Sequence, residues 1–133
     1  MEGKFIIANE AEQDQLDWGI INWLSRPATT DANSLTVLEV TVEPGCGHDF
    51  HKHPGQEEVI YILEGEVEQY IGKEKRMLKK GDTVFIGPDV IHATFNVSDK
   101  PFRTLAVLGP CVGEAGYELV EVAHEEPWAS LRS

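Results

Sequence analysis

Basic residues are scarce in this sequence, and their scarcity argues against one large class of functions. The chain has 11 Lys and Arg against 23 Asp and Glu, so its formal net charge is -12 at pH 7. A charge of this sign repels nucleic-acid phosphates and anionic membrane surfaces. We therefore expect no nucleic-acid partner and no membrane partner. The charge favours solubility and cations, but it identifies no substrate.

Cysteine and long apolar runs are also rare. Cys46 and Cys111 are the two cysteines, and we interpret them as reduced, small buried residues. A disulfide, a redox pair and an extra ligand are the alternatives. The N-terminal segment lacks the apolar run and cleavage site of a secretory signal, and no apolar run is long enough to span a bilayer. The sequence therefore predicts a cytoplasmic protein.

Short apolar stretches separated by Gly, Pro, Asn and Asp fill most of the chain. Their β-branched residues and turn signals predict strands over residues 20–24, 36–42, 59–63, 66–71, 75–79, 83–86, 92–97, 102–108 and 117–122. One segment, residues 11–18, has a weak helical pattern. Strands at this regular spacing predict an all-β sandwich or barrel.

The length of 133 residues fits a single domain, residues 1–133, that is large enough to bury its own core. We predict a barrel core over about 35–122, an N-terminal arm over 1–34 and a C-terminal tail over 123–133. Trp18, Trp23 and Trp128 lie in the two arms, and we expect them to hold the arms against the barrel or a partner.

Four side chains indicate a metal site. His51 and His53 are two residues apart, and residues at this spacing on a strand point the same way. Glu58 shares a strand face with apolar residues, so its carboxylate faces an apolar interior. An unpaired buried carboxylate is costly, and a bound cation offsets that cost. His92 begins another strand, which can supply a third imidazole if it packs beside the first.

The stretch that carries the first three of these side chains resembles the first motif of the cupin family. That motif is a glycine, five residues, H-x-H, four residues, Glu, six residues and a glycine. Every spacing is met, by Gly45, His51, His53, Glu58 and Gly65.

The later stretch resembles the second cupin motif, in which a glycine is followed by a Pro-x-Gly turn, a His and an Asn. Gly81, His92 and Asn96 fit this pattern. Gly87 and Asp89 replace the Pro and the Gly of the turn. The resemblance implies a jelly-roll β-barrel with the metal inside one end, and many cupins pair into dimers.

Other polar residues receive simpler interpretations. We interpret His48, which lies outside the motif, as a loop histidine; the alternative is that it reaches the cavity mouth. Asn96 is interpreted as structural, and His124 as a surface residue of the acidic tail. The alternating acidic residues are interpreted as a solvated strand face: Glu64, Glu66 and Glu68.

The ligand set implies a divalent transition metal, with Fe, Mn, Ni, Co, Cu and Zn all suited to mixed nitrogen and oxygen ligands. On a six-coordinate ion, four protein ligands leave two positions open. The resemblance implies dioxygenase-, isomerase- or lyase-type chemistry on a small oxygen-rich or aromatic molecule. The alternative is a non-catalytic small-molecule-binding or sensing module, because the sequence assigns no further histidine or carboxylate to the cavity.

The strand at residues 58–63 is apolar on both faces. Val59, Tyr61 and Leu63 occupy the face opposite to Ile60 and Ile62. A barrel strand usually has one wet face, so the second apolar face needs a cover. We therefore expect a homodimer, the commonest arrangement among homo-oligomers.

Overall fold

Two antiparallel β-sheets form the framework of the protein in a computed structural model that describes residues 2–133. The six-stranded sheet contains, in spatial order, β1 (Glu12–Leu16), β2 (Gly19–Ser25), β3 (Thr36–Val42), β10 (Phe102–Gly109), β5 (Glu57–Glu64) and β8 (Thr83–Ile86). The five-stranded sheet contains β11 (Val120–Glu121), β4 (Gly47–Lys52), β9 (His92–Phe95), β6 (Glu66–Ile71) and β7 (Glu74–Lys79). The chain crosses repeatedly between the sheets, which confirms the all-β jelly-roll prediction.

Helical structure is confined to short segments. A 3-10 turn covers Ala8–Glu10, α1 covers Pro27–Thr30 and α2 covers Trp128–Leu131. Among residues 2–133, no helix has the length and hydrophobicity needed to cross a bilayer.

The main core lies between the two sheets because apolar side chains alternate along the strands of the larger sheet. Burial alternates along the whole of β10. Its inward side chains pack against those of β2, β3 and β5, among them Trp23, Leu38 and Ile60. This apolar layer forms one wall of the interior in which the site lies.

A second apolar cluster covers the outer face of the smaller sheet. Phe50 packs against Tyr70 and Phe95, and Trp128 of α2 lies against Phe50 with a centroid distance of 5.2 Å. Arg132 lies over the Phe95 ring. The C-terminal tail is therefore packed onto the barrel, as we expected for Trp128.

The helical interpretation of residues 11–18 is wrong. These residues form β1, which pairs with β2 from Glu12 opposite Trp23 to Leu16 opposite Gly19. All five side chains of β1 are exposed, so no apolar stripe stabilises a helix here. Backbone pairing with β2 decides the conformation, and that contact is invisible in local periodicity.

Two other interpretations also need correction. Trp23 packs residues 19–25 against the barrel, as expected for an arm residue, but it lies inside the main core as part of β2 and not outside it. Glu68 is not solvated; it is buried and bonded to Arg132, whose Nη2 lies 3.0 Å from Glu68 Oε1. The division into barrel core and arms stays a prediction, with β1 and β2 both lying before residue 35.

Two turns require backbone conformations that glycine adopts easily, one at Gly65 and one at Asp89, which stands where the motif has a glycine. Gly65 has φ 86° and lies so close to the next strand that an added Cβ would be 2.8 Å from the Phe102 Cα. Asp89, where the motif usually has Gly, adopts φ 65°. Asp tolerates this left-handed conformation better than most residues. The tight turn before His92 is therefore kept despite the substitution.

Gly65→Ala is expected to destabilise the protein more than Gly81→Ala. Both glycines have similar positive φ values, 86° and 93°, but an added Cβ at Gly81 meets nothing within 4 Å. We expect Gly81→Ala to cost about 1 kcal/mol from backbone strain and Gly65→Ala at least about 2 kcal/mol more from the clash with backbone. Urea unfolding measures both, and equal losses would contradict this account of Gly65.

Candidate metal centre

Three strands bring the four predicted ligands together at one end of the barrel interior. His51 lies on β4 directly opposite His92 on β9. His53 follows β4, and Glu58 lies near the start of β5 in the facing sheet. All four side chains are buried.

The donor atoms of these residues converge. One ring nitrogen from each of His51, His53 and His92 lies within 4.8 Å of the other two. Glu58 Oε1 lies 3.3 Å from His53 Nε2 and 3.0 Å from His92 Nε2. The arrangement therefore groups three imidazole nitrogens and places a carboxylate oxygen against two of them.

Backbone carbonyls fix the orientation of all three rings. The Nδ1 atom of His51 lies 2.7 Å from the carbonyl oxygen of Asp49. The Nδ1 atom of His92 lies 2.9 Å from the carbonyl oxygen of Val90. His53 Nδ1 lies 2.8 Å from the carbonyl oxygen of residue 118. A carbonyl only accepts, so each Nδ1 donates, and a neutral ring then has its lone pair on Nε2.

This tautomer leaves the centre with acceptors and no donor. Glu58 Oε1 and His92 Nε2 are buried and make no hydrogen bond, although they are 3.0 Å apart. Two acceptors at this distance repel unless a cation lies between them. Donation of the Nδ1–H to a backbone carbonyl, with Nε2 left free for the ion, is the arrangement found around metal-bound histidines. The donor set therefore fits a divalent transition metal ion.

The electrostatic environment keeps these groups in the form that binds metal. Burial, together with the neighbouring histidines His48 and His92, lowers the pKa of His51 well below its usual range. Burial raises the pKa of Glu58, but the hydrogen bonds and positive charge that His53 and His92 offer in their charged form outweigh it and lower that pKa to about 2. When the rings are neutral, a bound cation would supply that positive charge instead. A neutral imidazole and an ionised carboxylate are the ligand forms that metals require.

A cavity of about 290 Å³ opens beside the four residues. The smaller sheet and the C-terminal segment supply most of its polar lining, and the larger sheet supplies most of its apolar lining. The lining consists of Leu16, Trp18, Ile21, Leu38, Val40, Val42, His48, His51, His53, Glu58, Ile60, His92, Thr94, Phe102, Thr104, Ala106, Leu108, Tyr117, Leu119 and Glu121.

His48 is a cavity residue, so the loop interpretation is wrong and the alternative is correct. Its ring stacks on His51 with a centroid distance of 3.7 Å and an interplanar angle of 7°. Trp18 also stacks on the His48 ring, with a centroid distance of 6.4 Å. Residues three apart point to opposite faces of a regular strand, but the register between His48 and His51 is irregular. Spacing alone could not reveal this irregularity.

The C-terminal segment adds two cavity residues that sequence reasoning missed. Glu121 Oε1 lies 3.5 Å from His48 Nε2. Tyr117 packs against His53 with a centroid distance of 5.6 Å, and burial raises the pKa of its phenol. The cavity therefore contains a further histidine and a further carboxylate, contrary to our expectation. No local pattern links these positions to the motifs.

Other predicted residues have structural surroundings. Asn96 donates to the carbonyls of Val42 and Lys100, as a structural residue does. Cys46 and Cys111 are free and half-buried.

Comparison with known proteins identifies the family. A profile described as a cupin domain matches residues 38–108. The chain belongs to the cupin family. An uncharacterized protein of Methanocaldococcus jannaschii is 32% identical over 79% of this cupin and 84% of its own length. The polyketide synthase CurC of Streptomyces cyaneus is 28% identical over 83% of this cupin and 71% of its own length.

Solved structures show the same fold. KdgF from Halomonas sp. has a TM-score of 0.74 and 18% identity, covering 85% of this cupin and 98% of that chain. A predicted oxalate decarboxylase from Thermotoga maritima has a TM-score of 0.72 and 20% identity, covering 80% of this cupin and 99% of that chain. At these identities the likeness establishes the jelly-roll fold of the cupin alone.

Glu58→Gln tests whether the centre is built for a cation. The amide supplies N–H donors to the imidazole lone pairs, so the metal-free variant should be about 1 kcal/mol more stable than metal-free wild type. Metal affinity should fall by roughly tenfold or more because the charged ligand is lost. Urea unfolding in chelator and metal titration measure the two effects. A less stable metal-free variant would instead indicate protonated histidines donating to Glu58.

Proposed function

We propose that this protein binds one divalent transition metal through His51, His53, Glu58 and His92 and acts on a small oxygen-donor molecule in the adjoining cavity. The observation that carries this proposal is the grouping of three imidazole nitrogens with a buried carboxylate that lies against two of them, with no donor among these groups. A cation relieves that repulsion. Dioxygenase-, isomerase- or lyase-type chemistry is the class we propose.

The protein's own residues would prepare such a site for reaction. When bound, the metal supplies Lewis-acid or redox chemistry, with two positions left open on a six-coordinate ion. The Nδ1–carbonyl bonds hold the imidazoles in place, and Glu58 offsets part of the ionic charge. The apolar wall limits water beside the ion, and the His48–Glu121 pair lies within reach of the cavity.

Metal-dependent binding of an oxygen ligand is the central expectation. Metal-loaded protein should bind catechol or malonate in calorimetry, whereas chelator-treated protein should remain folded and bind neither. The chain is long enough to build its own core, so circular dichroism should change little on chelation. His92→Ala should lose most bound metal and all ligand binding. His124→Ala, at a 75% exposed side chain, is the matched control and should behave as wild type.

The outcomes separate three functions. Metal-dependent binding followed by consumption of a ligand supports the enzyme. Metal-dependent binding without turnover of any small oxygen-rich or aromatic compound supports a binding or sensing module. Complete unfolding on chelation, with no metal-dependent binding, would mean a structural ion and would overturn the proposal.

We also propose that two copies pair through the outer face of the larger sheet. Leu35, Val59, Tyr61 and Phe85 are exposed there, and Phe85 is 56% exposed. A hydrophobic patch of this kind is typical of an interaction surface. Each copy carries a net charge of -12, so pairing is favoured where the surface is apolar. A second copy presents the same patch, which suits an isologous contact.

Phe85→Glu should disrupt this pairing. A charge buried in the interface costs more than one left in water, so the variant should scatter light as a monomer near 14.8 kDa. Wild type should have twice that mass at micromolar concentration. Met77→Glu, at a 50% exposed residue of β7 in the other sheet, is the control and should stay dimeric. A wild-type mass near 14.8 kDa would contradict the pairing.

We propose a reducing compartment, the cytoplasm, as the place of action. The support is the presence of two cysteines that remain free thiols, Cys46 and Cys111.

A further inference from the structure

Thr104 places a hydroxyl group on the apolar wall of the cavity. It lies on β10, is 4% exposed and lines the cavity. Its neighbours in register are Val40 on β3 and Ile62 on β5, both apolar. A valine would fill this position with almost the same shape and no polar atom.

The hydroxyl of Thr104 has no hydrogen-bond partner among residues 2–133, which sets it apart from the buried polar side chains outside the metal centre. Thr36 donates to the Gly116 carbonyl, Gln56 to the Pro110 carbonyl, and Asn96 to the Val42 carbonyl. The Thr104 oxygen is not among the enclosed polar atoms that lack a partner, which in the described residues are Arg26 Nε, Glu58 Oε1 and His92 Nε2. The hydroxyl is therefore accessible from the cavity that the residue lines, where water or a ligand can bond to it.

The sheet register places this hydroxyl away from the metal centre. Leu108 of β10 is opposite Glu58, and Thr104 is opposite Ile62. Four residues of strand separate the two levels, which corresponds to roughly 13 Å at about 3.3 Å per residue. Thr104 therefore cannot join the ligand set of the ion, and it would meet the other end of a molecule held there.

We propose that the Thr104 hydroxyl binds a neutral polar group, a hydroxyl or carbonyl, at the end of the ligand opposite its metal-binding oxygens. This inference rests on the function proposed above and narrows its substrate class. The ligand has a chelating head, an apolar or aromatic body and a polar tail. The tail is neutral because no Lys or Arg lines the cavity in the described part of the chain, so an ionised tail would lack a counter-charge.

Two nearly isosteric ligands and two variants test this assignment. Cobalt(II)-loaded protein is titrated anaerobically, in a calorimeter, with a catechol carrying a hydroxymethyl group para to one oxygen and with the matching ethylcatechol. Wild type should prefer the hydroxymethyl compound by about three- to tenfold, the range expected for one net hydrogen bond. Thr104→Val should abolish this preference, and Thr104→Ser should retain it.

Controls separate recognition from folding. Thr41→Val, on β3 outside the cavity lining, should retain the wild-type preference. Metal-free Thr104→Val should unfold at the same urea concentration as wild type or a higher one, because the hydroxyl makes no hydrogen bond to the protein and a methyl group of similar size replaces it.

The failures of the two proposals are distinguishable. Metal-dependent binding of both catechols with the same preference in wild type and Thr104→Val, or with no preference in wild type, would overturn the role of Thr104 alone. If neither catechol nor malonate bound to metal-loaded wild type, the proposed function would fall and this inference with it.

Discussion

The structure depends on one electrostatic constraint, which is the placement of an ionised carboxylate in the barrel interior beside imidazole lone pairs. Glu58 lies on β5, between β10 and β8, and its side chain is buried. Repulsion between Glu58 Oε1 and His92 Nε2 at 3.0 Å is unfavourable unless positive charge enters the site. The backbone contacts that fix the Nδ1 atoms serve this purpose, since they turn every Nε2 lone pair toward the same point.

The two sheets contribute different parts of that centre, one the apolar wall and the other the histidines. The larger sheet presents apolar side chains to the cavity, and its pairing of β10 with β3 and β5 keeps that wall continuous. The smaller sheet supplies His51 and His92, held in register by the β4–β9 pairing. The C-terminal segment joins them, because the carbonyl of Glu118 orients His53. Movement of that segment therefore changes the geometry of the centre as well as the cavity mouth.

Local sequence information predicted what depends on short spacing, and it failed where distant segments meet. His51 and His53 follow from strand periodicity, and His92 from a turn and strand that retain their form with Asp89 in place of glycine. His48 escaped prediction because an irregular register reverses the direction expected from its spacing. The strand β1 and the Glu68–Arg132 pair could not be predicted, because both depend on partners that no local pattern identifies.

The residues that short spacing identifies are the proposed metal ligands, whereas distant segments contribute side chains that shape the rest of the cavity. The four proposed ligands belong to the two family motifs, whereas Trp18, Tyr117 and Glu121 come from segments before and after them. Trp18 is positioned by the β1–β2 hairpin, and it stacks on His48, which in turn stacks on His51. A change in either terminal segment can thus reshape the cavity while leaving the metal ligands intact. We therefore expect cupins with the same metal ligands to differ in the small molecules they bind through these terminal segments as well as through wall positions such as Thr104.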